Sequence, residues 1–146
     1  MRKYTIFVVS FFVVAVVALL IWGGYGAAQL DFNIRVDRNP RRWASNAGFP
    51  SVITSMDELV AYADVDFSAF DIYTEEFFED RLLLIFSLVA PDTSVSYRVD
   101  AVLENGDIHV TRLSGGMGIH VIRTIRFILE VDNTIIPEEF NIIFNG

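Results

Sequence analysis

Two histidines, His109 and His120, and a run of acids from Asp64 to Glu79 are where this sequence spaces its chemistry-bearing side chains in recognisable patterns. Asp64, Asp66, Ser68 and Glu75 fall at positions 1, 3, 5 and 12 of a calcium loop, but Ala69 stands where that loop's sharp turn needs Gly, and Asp71 where an apolar residue is usual. The competing reading is an acidic loop whose Phe67 and Phe70 plug a core. Glu75, Glu76 and Glu79 have the composition of a paired-carboxylate site, yet a short Glu-rich helix is ordinarily solvated and sets no fixed acid–base separation.

The chain has no cysteine, hence no thiol nucleophile and no disulfide framework. It also has no histidine pair at helical i, i+4 spacing, no Gly-x-Ser-x-Gly and no Walker glycine run. Ser114-Gly115-Gly116-Met117-Gly118 reads as a flexible loop and not a phosphate cradle, because strand follows it where a cradle needs a helix start. What remains is a surface. Alternation in Ile108–Ser114 and Ile119–Asp132 sets His109, Thr111, His120, Thr124 and Arg126 on the outer face of a sheet, a mixed polar surface suited to a binding partner. No catalytic residue, metal ligand or cofactor is assigned. The expectation is a binding module, with two alternatives: a hydrolase whose Ser-His-Asp site assembles from distant strands, and a calcium-stabilised structural domain.

The elements that must position these residues form an α+β domain, mainly antiparallel and sandwich-like, with five to seven strands and one or two short helices. Asp31–Val36 is an edge-strand candidate and Ser51–Thr54 a short strand. Ser55 and Glu58 make a capping box for a helix over Met56–Ala63, and Thr74 caps a further turn or two reaching Asp80. Leu82–Val89 is an eight-residue run, apolar except for Ser87 and stopped by Pro91, the signature of a central strand buried on both faces. Val95–Leu103 alternates and meets Asn105-Gly106, which predicts a two-residue hairpin turn pairing Leu103 with Ile108 and Ala101 with Val110 on the core side. On that register Val102 and Asp100 pair with His109 and Thr111 on the other side. Arg123, on the inner side of its strand, belongs near the strand's end or in an ion pair, and Phe140–Phe144 is the last strand.

Ahead of all this lies Ile6–Trp22, apolar throughout except Ser10 and preceded by Arg2 and Lys3. With Tyr4 and Thr5 it is long enough to cross a bilayer, which takes about 20 residues as a helix, and the basic end stays cytoplasmic. Trp22 and Tyr25 suit the far interface. Gly26-Ala27-Ala28 equally offers a signal-peptidase site, so anchor and signal peptide both stand. Either way the expected layout is residues 1–28 as anchor or signal, 29–48 as a juxtamembrane linker and 49–146 as an extracytoplasmic β-rich domain. The lipid bilayer is then one partner and another exported protein a second. Arg35, Arg38, Arg41 and Arg42 either lie on anionic headgroups or sit in a solvated linker. A net charge of −8 argues against nucleic acid.

Glu-Glu-Phe-Phe-Glu-Asp, an apolar strand, a short loop, Ser-Tyr-Arg-Val and an Asn-Gly hairpin follow one another from Tyr73 to Gly106. This order resembles that of small exported or membrane-anchored bacterial proteins of unknown function, and distantly the C-terminal domain of PrcB-type protease-complex subunits. The latter place a Thr-Gly-Gly-Tyr turn before the alternating strand, where this chain has Thr93-Ser94-Val95-Ser96-Tyr97. The resemblance implies a β-rich, non-enzymatic domain.

Protease added to spheroplasts should digest the chain beyond Gly23, and the intact mass should begin at Met1 for an anchor or near Gln29 for a cleaved signal. Full protection of the domain would overturn the exported topology.

Overall fold

A computed structural model of the chain describes residues 27–37, 50–63, 70–134 and 136–145. The segment 4–22, Arg38, Arg41, Arg42 and most of the acidic loop lie outside the described residues. Within them, no helix is long and apolar enough to cross a membrane.

The continuous apolar run dictates the architecture. It forms β3 (Arg81–Ala90), which pairs antiparallel along its whole length with β6 (Arg123–Asp132). β1 (Phe32–Asp37) flanks β6 and β2 (Ser51–Ile53) flanks β3, giving a four-stranded antiparallel sheet in the order β1-β6-β3-β2. A second sheet, β4-β5-β7, contains the antiparallel hairpin β4 (Val95–Val102) and β5 (Asp107–Ser114), with β7 (Asn141–Asn145) added parallel to β5. Among the described residues the fold is therefore a β-rich α+β domain with seven strands, within the five to seven that the sequence predicts, and one parallel pair that it did not reveal.

Alternate residues of the central strands face different layers. Leu82, Leu84, Phe86 and Leu88 with Ile125, Phe127, Leu129 and Val131 meet Val95, Val99, Val102, Ile108 and Val110 of the second sheet. Phe86 and Phe127, cross-strand partners, stack with centroids 5.2 Å apart. The odd-numbered Leu83 and Ile85, with Ile128, turn to the other side and are covered by Leu59, Ala63, Phe70 and Tyr73. Each such buried side chain contributes about 1.5–3 kcal/mol. Apolar burial on two sides of one sheet therefore sets the layer order.

The covering layer contains α1 (Met56–Tyr62) and α2 (Phe77–Asp80). Ser55 caps α1 as expected, its hydroxyl accepting from the Glu58 amide, while the Glu58 carboxylate accepts from Thr54 N–H and its hydroxyl, one residue before the cap. α2 differs from expectation. It begins after Glu76 with no side-chain cap, and Thr74 takes part through its carbonyl, which accepts from the Phe77 amide. Phe70 is fully buried, in keeping with the core-plug reading at the described end of the acidic loop.

Two further expectations are corrected. The hairpin turn is one residue longer than Asn-Gly implied: Leu103 O accepts from Gly106 N, Leu103 N donates to Asp107 O, and Gly106 alone has positive φ, at 91°. Asn105 keeps negative φ and uses its side chain on Asp107, so this is a type I turn with a bulge at glycine. A register shift between Val99 and Ala101 then pairs Ala101 with His109 and Val102 with Ile108, turning Val102 instead of Leu103 into the core. The second correction concerns where the domain begins. Leu30 is buried, Ala28 and Leu30 bond to Glu104 and Val102 of β4, and the chain then crosses to pair as β1 with β6. Residues expected in a linker thus close one side of the sandwich.

Gly106 also approaches the connection before β7, where an added Cβ would lie 2.0 Å from the Glu139 carbonyl oxygen. Gly106→Ala should therefore cost more than about 2 kcal/mol in denaturant unfolding, whereas Gly115→Ala, which meets nothing within 4 Å, should be near neutral. Equal midpoints for the two variants would refute this account of the turn.

Candidate functional site

The five residues expected on one polar face are distributed over three places. His109 and Thr111 do lie together on the outer face of the second sheet. His109 Nδ1 is 3.1 Å from Asn145 Oδ1, Asn145 Nδ2 donates to Asp100 Oδ2 at 3.3 Å, and Thr111 Oγ1 donates to the same oxygen at 2.5 Å. Arg98 Nε closes the chain on Asp100 Oδ1 at 2.6 Å. This arrangement exists because the β-bulge beside Asp100 and the parallel addition of β7 bring three strands to one patch.

Thr124 and Arg126 belong to the other sheet, on the face that α1 and its neighbours cover. Arg126 is only 7% exposed, with Asp37 Oδ2 4.0 Å from its Nη1. Its Nε and the hydroxyl of Ser87, its cross-strand neighbour, are buried without a hydrogen-bond partner among the described residues. Alternation placed Arg126 on the second face correctly; that face is a core boundary here and not a solvent surface.

His120 is not in a strand at all. Residues 115–122 form a loop, and β6 starts only at Arg123, whose guanidinium donates to the carbonyls of Thr93 and Val95. Arg123 is thus at its strand's end, as the sequence predicts. The loop is held by its backbone. Thr93 N donates to Ile119 O, Ile119 N to Thr93 Oγ1, and Val121 N to Ile119 O. Gly118 fits so closely against the Asp92–Ser94 turn that a Cβ there would lie 2.7 Å from Asp92 Oδ1. That turn needs no glycine of its own, because Asp92 Oδ1 accepts from Ser94 N, Ser94 Oγ and Val95 N. Hydrogen bonds from Ser94, first its hydroxyl and then its amide, hold the Asp92 carboxyl below its ordinary value.

With the backbone fixed, Ile119 (72% exposed), Ile122 (65%) and the wholly exposed Met117 point outward, joined by Val121. Met117 is expected in the flexible loop and Ile119–Ile122 at the start of the alternating strand, with Val121 on its inner face; together they instead form an apolar tip bordered by His120 and the exposed Arg112. The sequence carried a signal for it: three glycines interleaved with apolar residues just before the alternation becomes regular. The tip lies at the end of the β4–β5 hairpin opposite to the bonds from Ala28 and Leu30.

Among the described residues no three His, Cys, Asp or Glu side chains gather as metal ligands. Comparison with protein-family models, curated proteins and solved structures returned no match.

The Thr111 hydroxyl, followed by Arg98 and Asn145, keeps the Asp100 carboxyl below its ordinary value. A depressed folded value means that the unfolded chain takes up the proton first. Asp100 thus adds stability above its unfolded value near 3.8, and this contribution disappears as pH falls through the folded value. In an NMR titration, Thr111→Val should raise the Asp100 midpoint and move the acid-side loss of stability to higher pH. An unmoved midpoint would show that the hydroxyl does not set it.

Proposed function

We propose that the chain is an extracytoplasmic binding module, tethered or exported through its N-terminal segment, whose apolar tip seats in a pocket of another exported protein. The observation that carries this reading is the tip itself: Met117, Ile119, Val121 and Ile122 project from a loop that hydrogen bonds pin at Gly115 and Ile119 to the Thr93–Ser94 turn. Clustered exposed apolar side chains mark contact surfaces, and a loop ordered beforehand loses less entropy on docking. His120 and Arg112 beside the tip favour a pocket with an acidic rim. The hydrogen-bonded face around His109, Thr111 and Asp100 is a second, polar contact area of the kind found at interface rims.

The full-length chain, used as bait for envelope extract, should capture a discrete protein. The pair Met117→Ser with Ile122→Ser should lower capture at least tenfold at unchanged melting temperature. Loss with His109→Ala alone would move the contact to the sheet face, and capture indifferent to all these changes would refute the binding surface. Hydrolysis of an ester or peptide abolished by His109→Ala would replace binding with catalysis.

A further inference from the structure

Four strand edges bound the two sheets, and three are protected. β1 carries Arg35 and Asp37, β2 is three residues long and follows Pro50, and β4 carries Arg98 and Asp100 and is covered at its last residue, Val102, by Leu30. Charge, shortness and cover are the usual means by which proteins keep an edge from pairing with another chain. The fourth edge, β7, has none of them among the described residues. Asn141-Ile142-Ile143-Phe144-Asn145 contains no charge and no proline in a chain of net charge −8, and Ile143 and Phe144 are 39% and 56% exposed.

The geometry points to β7 as a homodimer seam, in which β7 of a second copy pairs antiparallel about a two-fold axis at Ile143 and joins two three-stranded sheets into one of six. Three observations carry this independently of the tip loop. The first is sequence symmetry: with Ile143 opposite itself, Asn141 faces Asn145 and Ile142 faces Phe144, so like meets like on both halves, as an isologous contact requires.

The second is hydrogen-bond phase. Asn141 N donates to Gly106 O, so Asn141, Ile143 and Asn145 direct their peptide groups toward β5, and Ile142 and Phe144 direct theirs to the free edge. Pairing about Ile143 makes Ile142–Phe144 the hydrogen-bonded pairs on either side of the axis, satisfying all four outward groups of each strand. The third is the rows that result. Val110–Phe144 of one copy continues into Ile142–Ile108 of the other as an unbroken apolar row, above a groove of about 410 Å³ that Leu88, Phe140, Ile142 and Phe144 help to line. On the outer face, His109–Ile143 meets Ile143–His109.

Because the chain has no cysteine, single substitutions report the register directly. Ile143→Cys in the full-length chain places two thiols across a non-hydrogen-bonded pair, within disulfide reach. Under mild oxidation it should give a species of twice the 16.5 kDa chain mass at least tenfold faster than Val52→Cys on the β2 edge or Phe144→Cys, which is offset from its own copy. Ile143→Lys should abolish the concentration-dependent rise in molar mass seen by light scattering, with its melting temperature kept. Cross-linking of Ile143→Cys no faster than of Val52→Cys, or equal to that of Phe144→Cys, would overturn the seam.

Discussion

The whole arrangement depends on β3 and β6 having no face that tolerates water. Leu82–Leu88 supplies apolar groups to both sides, and Ile125–Val131 does nearly the same, so the pair needs a cover above and another below. The β4–β5 hairpin meets one requirement, and the stretch from α1 through Phe70 and Tyr73 to α2 meets the other. The helices are too short to be stable alone, and their order comes from this packing. Tyr73 illustrates the coupling: it lies in the covering layer, donates its hydroxyl to Glu130 on β6, and is pushed up to about 12, chiefly by burial. Its neutral form is the one that fits. The associated stability is complete below pH 10, the ordinary tyrosine value, and is lost as pH rises through the folded one.

Period and length made the strands legible. An eight-residue run with Ser87 as its one polar residue, too short for an ordinary helix and stopped by Pro91, reads as a doubly buried strand, and the alternations on either side of it followed. What escaped were local departures from period. The shift beside Asp100 costs one residue of register and exchanges Leu103 for Val102 in the core, and no residue type announces it. Asn105-Gly106 is compatible with turns of two or three residues, and the position that must be glycine is set by Glu139, whose carbonyl crowds Gly106 from the connection before β7, 33 positions on in the chain's numbering. Non-local contacts of this kind have no signature in a window of sequence.

The candidate surface was partly legible for a related reason. Alternation says which residues share a face, not what that face meets. His109 and Thr111 were grouped correctly, and Asn145 and Asp100 joined them only through the parallel placement of β7 and the bulge. Arg126 met a covering layer instead of water. For the apolar tip, Ile119–Ile122 continues the alternating pattern of β6 so well that the pattern hides the chain's departure from the sheet. That departure is fixed by Thr93 and Gly118, both outside the strand itself.

The first described residues give the domain a particular mechanical character. Ala28 and Leu30 bond to Glu104 and Val102, and the next residues run on without interruption into β1. Any pull on the N-terminal segment is therefore delivered to the β4 edge first, at bonds that also hold Leu30 in the core, and only afterwards to the β1–β6 ladder. From Ala28 onward the described chain has no slack before it enters the packed interior. Tension from that side, or cutting after Ala28, acts on the seam that closes the sandwich, so how this end is held and how firmly the two sheets stay together are one mechanical property.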